Sequence, residues 1–355
     1  MFDTIERACL EAVHLKADPA TGLRAIIAIH STRFGPALGG CRFLPYASDR
    51  DALNDAARLA HGMSYKAALA DVPQGGGKAV ILKPSGNYNR AALFRAFGRF
   101  VETLDGRYIT AVDSGSSLSD MDQIETQTGH VSGSHGDGLD PSPETAYGVF
   151  CAMRAACNVM DHSDNLSGKI IAIQGLGQVG WALAQLLHNA GARLLVNDLD
   201  QQKIQEAVQC FDARAVAPEV IHAQACDIFS PCALGAVLNH HSVHQLRCRL
   251  VVGSANNQLE SPALAHWLDQ HDILYVPDYV ANAGGLIKVS LGKLGQSLAE
   301  IRRHTERIST TVDDILQRAI QQHLPPADIA DRLAQARLEA PVSAGGTKGK
   351  RHALS

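Results

Sequence analysis

The stretch from Lys169 to Asp198 constrains the fold more than any other. Lys169-Ile-Ile-Ala-Ile-Gln174 is an apolar run of strand length, and Gly175-Leu176-Gly177-Gln178-Val179-Gly180 follows it directly. The glycines open a helical pattern through Asn189, and Gly191 to Asp198 returns as a second strand ending in an acid. Strand, spaced glycines, helix and strand make one βαβ unit, which needs a parallel sheet. The first glycine permits the tight turn, the second lets a pyrophosphate approach the backbone, and the third lets helix pack on strand. The helix start then offers unpaired N–H groups and a positive dipole end to phosphates. Asp198, 18 residues beyond Gly180, stands where a carboxylate accepts hydrogen bonds from ribose hydroxyls. Residues 175–180 and Asp198 are therefore expected to bind a dinucleotide.

The same pattern continues downstream. Cys226 to Gly235, Leu250 to Asn257 and Ile273 to Asp278 each run from a short apolar strand into small and polar residues. That is the reading of a doubly wound α/β sheet. Helical patterns fill Ser297 to Gln322 and Ala327 to Leu338, and the tail from Ser343 reads as disordered. No internal repeat is present.

A second organising stretch runs Lys66-Ala-Ala-Leu-Ala-Asp-Val-Pro-Gln-Gly-Gly-Gly-Lys78. A helical pattern through Asp51, Leu53, Ala56, Leu59, Ala60 and Met63 ends near Lys66. Three glycines then break regular structure before the buried strand Ala79 to Leu82. Glycines in series cost chain entropy, which points to something approaching the backbone closely. A lysine entering a buried strand needs a partner or a purpose, and desolvation lowers its pKa toward proton-transfer range. A glycine-rich surface turn with two solvated lysines fits the stretch as well. Gly35 to Arg42 is another turn-rich segment, preceded by the strand pattern Leu23 to His30. Ala91 to Leu104 is an amphipathic helix, and the strand Tyr108 to Val112 ends in Asp113-Ser114-Gly115. An acid at a strand's carboxyl end is a common place for chemistry; an Asx-turn or helix cap is the competing reading.

At 355 residues the chain has length for two domains, and its Gly, Ser, Asp and Pro-rich segment 129–143 reads as their connection. Its 46% hydrophobic and 19% charged residues are those of a globular protein with real cores. A net charge of −4 favours no nucleic-acid partner. With no basic start followed by an apolar core, and no apolar run of spanning length, the chain is expected in the cytoplasm without a membrane partner. The eight cysteines form no C-x-x-C pair, so they read as buried thiols and no metal site is expected.

Taken in order, these segments resemble the glutamate, leucine, phenylalanine and valine dehydrogenase superfamily, with leucine-type members the nearest in pattern. The resemblance rests on Gly35 to Arg42, Gly62 to Val80, Arg107 to Asp122, Pro141 to Val149, Gln174 to Gly180, Asp227 to Gly235, Gly253 to Gln258 and Pro277 to Gly285. It implies two α/β domains: residues 1–135, rejoined by about 325–355, for substrate and oligomerisation, and a Rossmann-type NAD domain over 136–324. It implies a cleft reaction, NAD-dependent reversible oxidative deamination of an L-amino acid to the 2-oxo acid and ammonia, in a homo-oligomer. By resemblance Lys66 holds the substrate carboxylate, while Lys78 and Asp113 are catalytic. Thr145, Asp198, Asn256, Arg42 and Asn282 fall on cofactor or cleft positions. Leu38, Gly39, Gly40, Ala111, Leu286 and Val289 fall on the substrate pocket. Leu38 stands where glutamate-specific relatives carry a lysine, so the pocket implies an aliphatic side chain; an aromatic one is the alternative. Lys288 departs from the asparagine usual in leucine-type relatives.

The residues fit that chemistry without the family. A charged lysine can pair with a carboxylate and fix the α-carbon, and a second can polarise a water and stabilise an oxyanion. An acid beside them can exchange a proton with an amine. A hydroxy-acid dehydrogenase would more often place a histidine base in a glycine-rich cleft, and none stands there. A non-catalytic NAD-binding regulator would need none of Lys66, Lys78 and Asp113.

Overall fold

The computed structural model describes residues 2–136, 140–233 and 235–340. Two sheets organise it. The first comprises β1 (Ala12–Asp18), β2 (Leu23–Ser31), β3 (Ala37–Leu44), β4 (Gly75–Leu82) and β5 (Tyr108–Val112), in the order β1-β2-β4-β3-β5. β2 is antiparallel to β1 and β4, while β3 runs parallel to β4 and β5. Both faces are covered, which is why β2 reads as continuous isoleucine and alanine rather than as an alternating strand. Ile26 and Ala28 face the helix Asp49–Ala70, and Ile27 and Ile29 face the helix Arg90–Glu102 with Phe94 and Phe97.

The second sheet is wholly parallel. β6 (Ile170–Gln174), β7 (Arg193–Asn197), β8 (Arg214–Ala215), β9 (Ile228–Pro231), β10 (Leu250–Val251) and β11 (Leu274–Tyr275) lie in the order β11-β10-β9-β6-β7-β8. The order reverses between β6 and β9, so a crevice opens at the carboxyl ends of those strands, the ligand position of open α/β sheets. This is the expected two-sheet α/β fold with a doubly wound nucleotide-type half.

The chain then returns. The helix Leu298–Gln322, started by a Ser297/Glu300 capping box, packs along the helix Ser142–Asp161. His304 Nε2 meets the Ala70 carbonyl at 2.8 Å, and Arg307 pairs with Asp71 at 2.7 Å. The last helix, Pro326–Glu339, reaches the same place, where Arg337 donates to the Ala68 carbonyl at 2.8 Å. The C-terminal helices thus pack back on the helix that carries Lys66.

Three sequence expectations need correction. The lysine-bearing helix continues past Lys66 to Ala70, where Asp71 in the left-handed region ends it. Gly75 to Gly77 do not break structure; they are the first residues of β4, and Ala37 to Arg42 is likewise strand. What approaches Gly76 is the protein itself: a Cβ there would stand 2.1 Å from the Ser64 backbone nitrogen. Of the cysteines, Cys41, Cys151, Cys157 and Cys248 are buried and Cys226 and Cys232 half-buried, but Cys9, just beyond the helix Phe2–Arg7, and Cys210, in the last turn of the helix Gln201–Phe211, are exposed. The tail from Ser343 lies outside the described residues. Among those described, no helix is long and apolar enough to cross a membrane, and no group of three or more His, Cys, Asp or Glu could hold a metal.

Candidate active site

β4 presents Lys78 toward the space between the sheets, with its side chain 8% exposed. Its ammonium forms an ion pair with Asp113, the residue that follows β5. Asp113 also stands 3.6 Å from Arg42 Nε and accepts the Ser114 N–H at 2.7 Å. Burial by itself would raise the Asp113 carboxyl; Lys78, Arg42 and the Ser114 amide outweigh it and hold the group below the usual carboxylate range.

Lys66 projects into the same space from the helix Asp49–Ala70, one helical turn before its end. It keeps part of its surface open, yet desolvation pushes its ammonium down to about 8, with Asp278 opposing and Lys78 adding to the shift. Asp278, half-buried beyond β11, accepts the Gln258 N–H at 2.9 Å, and desolvation raises its carboxyl.

These groups share a cleft of about 430 Å³. Leu38, Gly39, Gly40, Ala111, Leu286 and Val289 form much of its wall, and Arg42, Thr145, Val179, Asn256 and Asn282 also line it. Lys288 is buried in the helix Gly284–Lys293 and is not part of this wall. Asn282 ties the segment after β11 to that after β10, donating to the Ser254 carbonyl at 3.0 Å and to Asn256 Oδ1 at 2.8 Å. Thr145 hydroxyl donates to the Pro141 carbonyl at 2.8 Å.

A larger cavity of about 1090 Å³ adjoins the first, sharing Arg42, Asp113, Val179 and Asn256, and runs to Gly175, Gly177, Gln178 and Asp198. Gly175 has φ +96°, a conformation side-chain-bearing residues rarely adopt. Gly177 caps the helix Gln178–Asn189 without any side-chain hydrogen bond, so the amides at its start are free for a ligand. Asp198 accepts the Leu176 N–H at 2.6 Å and the Asp200 N–H at 2.9 Å. Burial would raise its carboxyl, but those amides and Lys203 hold it low. Leu176 and Gly180 do not line the cavity: the Leu176 side chain joins the core, and Gly180 packs against the Gly175 carbonyl.

Comparison with known proteins decides the family. The model for the Glu/Leu/Phe/Val dehydrogenase dimerisation domain matches residues 8–130, and that for glutamate/leucine/phenylalanine/valine dehydrogenase matches 136–200 and 195–340. The chain belongs to the Glu/Leu/Phe/Val dehydrogenase family. Leucine dehydrogenase of Thermoactinomyces intermedius is 43% identical over 96% of the chain and 93% of that relative. Phenylalanine dehydrogenase of the same organism is 41% identical over 96% and 94%. The crystal structure of L-tryptophan dehydrogenase from Nostoc punctiforme superposes with a TM-score of 0.85 at 40% identity, covering 95% of this chain and 98% of that one.

As a Glu/Leu/Phe/Val dehydrogenase the chain is an amino-acid dehydrogenase, an oxidoreductase whose reaction needs a nicotinamide cofactor. The residues present fit such a group: a glycine cradle, an uncapped helix start, an acid at the end of β7, and a buried Asn282 Oδ1 with no hydrogen-bond partner beside the cleft.

Asp55, Arg58, Asn257 and Asp278 escaped the sequence reading. Arg42 donates to Asp55 at 2.8 Å, Tyr46 to the same oxygen at 2.7 Å, and Arg58 bridges Asp55 to Asn257 across the cleft mouth, at 2.9 Å to each. Asp278 left a signal, an acid at the end of a strand pattern. Asp55 left only one polar position among several on an amphipathic helix.

Proposed function

We propose that this dehydrogenase catalyses NAD-dependent reversible oxidative deamination of an aliphatic L-amino acid (leucine, isoleucine or valine) to the 2-oxo acid and ammonia. The observation that carries it is the meeting of Lys66, Lys78 and Asp113 in one cleft whose wall includes the apolar patch Leu38, Ala111, Leu286 and Val289 and which opens into the Asp198 cavity.

Lys66 pairs with the substrate carboxylate and fixes the α-carbon toward the larger cavity. A nicotinamide held by the glycine cradle and Asp198 would supply the hydride acceptor for deamination and the hydride donor for the reverse direction. Lys78 then polarises the water that attacks the substrate imine and stabilises the oxyanion. Asp113 accepts a proton from the amine and returns it to the departing nitrogen. Positioned acid–base groups of this kind are typically worth about 10²–10⁴-fold.

Leu38, Ala111, Leu286 and Val289 support an aliphatic side chain. A second carboxylate buried against them without a partner would cost several kcal/mol, whereas each buried CH₂ gains about 0.8 kcal/mol. The position of Lys288 off the wall favours the same reading. An aromatic side chain is the second reading, favoured by the similarity to phenylalanine and tryptophan dehydrogenases; the bulk of Leu286 opposes it.

The cofactor reading rests on Asp198, whose charge opposes a 2′-phosphate. The division into a substrate and oligomerisation domain (1–135, rejoined from about residue 325) and an NAD domain (136–324) belongs to the same proposal, as do a homo-oligomer built through the first domain and a cytoplasmic location. Adding L-leucine and NAD to the purified protein tests the reaction: NADH absorbance grows, and its failure to grow with any L-amino acid overturns the reading.

A further inference from the structure

Arg42 falls on a position expected to touch the cofactor, but its surroundings tie it to the catalytic carboxylate. Its guanidinium lies between two acids. Nη1 donates to Asp55 Oδ2 at 2.8 Å, and Nε stands 3.6 Å from Asp113 Oδ2. Asp55 is itself held by the Tyr46 hydroxyl at 2.7 Å and by Arg58 at 2.9 Å. The side chains of Arg42, Asp55 and Asp113 are 15%, 17% and 17% exposed. Arg42 Nε is buried and makes no hydrogen bond, although a carboxylate oxygen stands just beyond bonding reach. A buried donor left unpaired is costly, so a donor held in this way needs a reason.

The reason lies in what else uses that oxygen. Asp113 Oδ2 is engaged by the Lys78 ammonium. In the proposed reaction the same ammonium must turn to the attacking water, which would leave Asp113 Oδ2 without its closest cation, the Ser114 amide holding only Oδ1. We propose that Arg42 is a positioning residue for the reaction: anchored by Asp55, it takes over Asp113 Oδ2 through Nε when Lys78 turns to the substrate. The inference rests on the roles given above to Lys78 and Asp113.

The groups around Asp113 agree with this division. Lys78 faces it from β4, and Arg42 and Cys41 from β3. Tyr108 faces it from β5, Tyr46 from the segment after β3, and the Ser114 amide and Ser116 hydroxyl from its own loop. Asp55 reaches it from the helix through Arg42. Burial keeps Cys41, Tyr46 and Tyr108 protonated, so they add no charge. Once Lys78 has turned away, Arg42 is the cation left beside the carboxylate.

Carboxyl ¹³C NMR of aspartate-labelled protein tests this, with NAD and an unreactive branched-chain carboxylate bound to draw Lys78 away. Asp113→Asn identifies the resonance. Arg42→Gln is expected to raise the Asp113 midpoint by about one pH unit or more, since a neighbouring Arg lowers an Asp by roughly 1–3. It is also expected to lower kcat about tenfold or more, with KM for the amino acid changed far less, and Arg42→Lys recovers part of both. Asp55→Asn, which only frees the anchor, moves both in the same direction by less, and serves should Arg42→Gln not fold. An unchanged midpoint in Arg42→Gln, or a loss confined to KM for NAD, overturns the inference. Failure of the underlying reading is distinguishable, because Asp113→Asn would then retain turnover whatever Arg42→Gln did.

Discussion

A Cβ on Gly76 would sit 2.1 Å from the backbone nitrogen of Ser64, so strand β4 and the helix Asp49–Ala70 lie flush against each other. Ser64 is two residues from Lys66 and Gly76 two from Lys78. The glycine therefore brings two lysines from different elements to one cleft. Backbone cannot yield as a flexible side chain can, so Gly76→Ala must push helix and strand apart. The expected loss is about 1–3 kcal/mol, the usual cost of overpacking a closed interior. A fall in Tm by calorimetry should accompany a loss of kcat/KM larger than the loss of NAD affinity. An unchanged Tm with unchanged turnover would contradict the packing argument.

Lys78→Ala should remove turnover by about 10²-fold or more while NAD binding survives, because the glycine cradle and Asp198 belong to the other sheet. Kinetics and NAD titration of one preparation check both halves. A variant keeping a tenth of the original kcat would not carry the role assigned to Lys78.

The depressed pKa of Lys66 gives a pH dependence of known sign. Below about 8 its ammonium is charged and can pair with a carboxylate; above that value the free protein loses the charge. The affinity of an unreactive branched-chain carboxylate should weaken as pH rises through about 8, by up to about tenfold per unit. Calorimetric titration across that range, repeated on Lys66→Gln, checks it. The variant should bind weakly with little pH dependence, and a dependence as steep as the original would reassign it to another group.

Asp198 should make NAD strongly preferred over NADP, since a 2′-phosphate would meet a carboxylate held ionised by the Leu176 and Asp200 amides. The ratio of kcat/KM for the two cofactors measures this, and Asp198→Ala should narrow it. Equal use of both cofactors by the unaltered protein would contradict the assignment.

The nucleotide half was legible because its signal is local: strand, glycines, helix and acid follow one another over residues 169–198. The first half was harder. Its glycines read as a turn because glycine weakens strands in isolation, and only the helix lying on Gly76 shows why β4 tolerates them. Lys66, Lys78 and Asp113 were identified together through family resemblance, and the structure places them in one cleft. The Asp55–Arg42 link and the Arg58–Asn257 bridge were not legible, because contacts between helix, strand and a distant loop leave no spacing rule in the sequence.

The central claim is a cleft whose apolar patch of Leu38, Ala111, Leu286 and Val289 orients an aliphatic amino acid between Lys66 and Lys78 for hydride transfer to NAD. The most direct measurement is kcat/KM with NAD across L-leucine, L-valine, L-phenylalanine, L-tryptophan and L-glutamate. Leucine or valine should lead and glutamate should be last. An aromatic amino acid or glutamate in first place would contradict the pocket argument, and no NADH from any of the five would contradict the account as a whole.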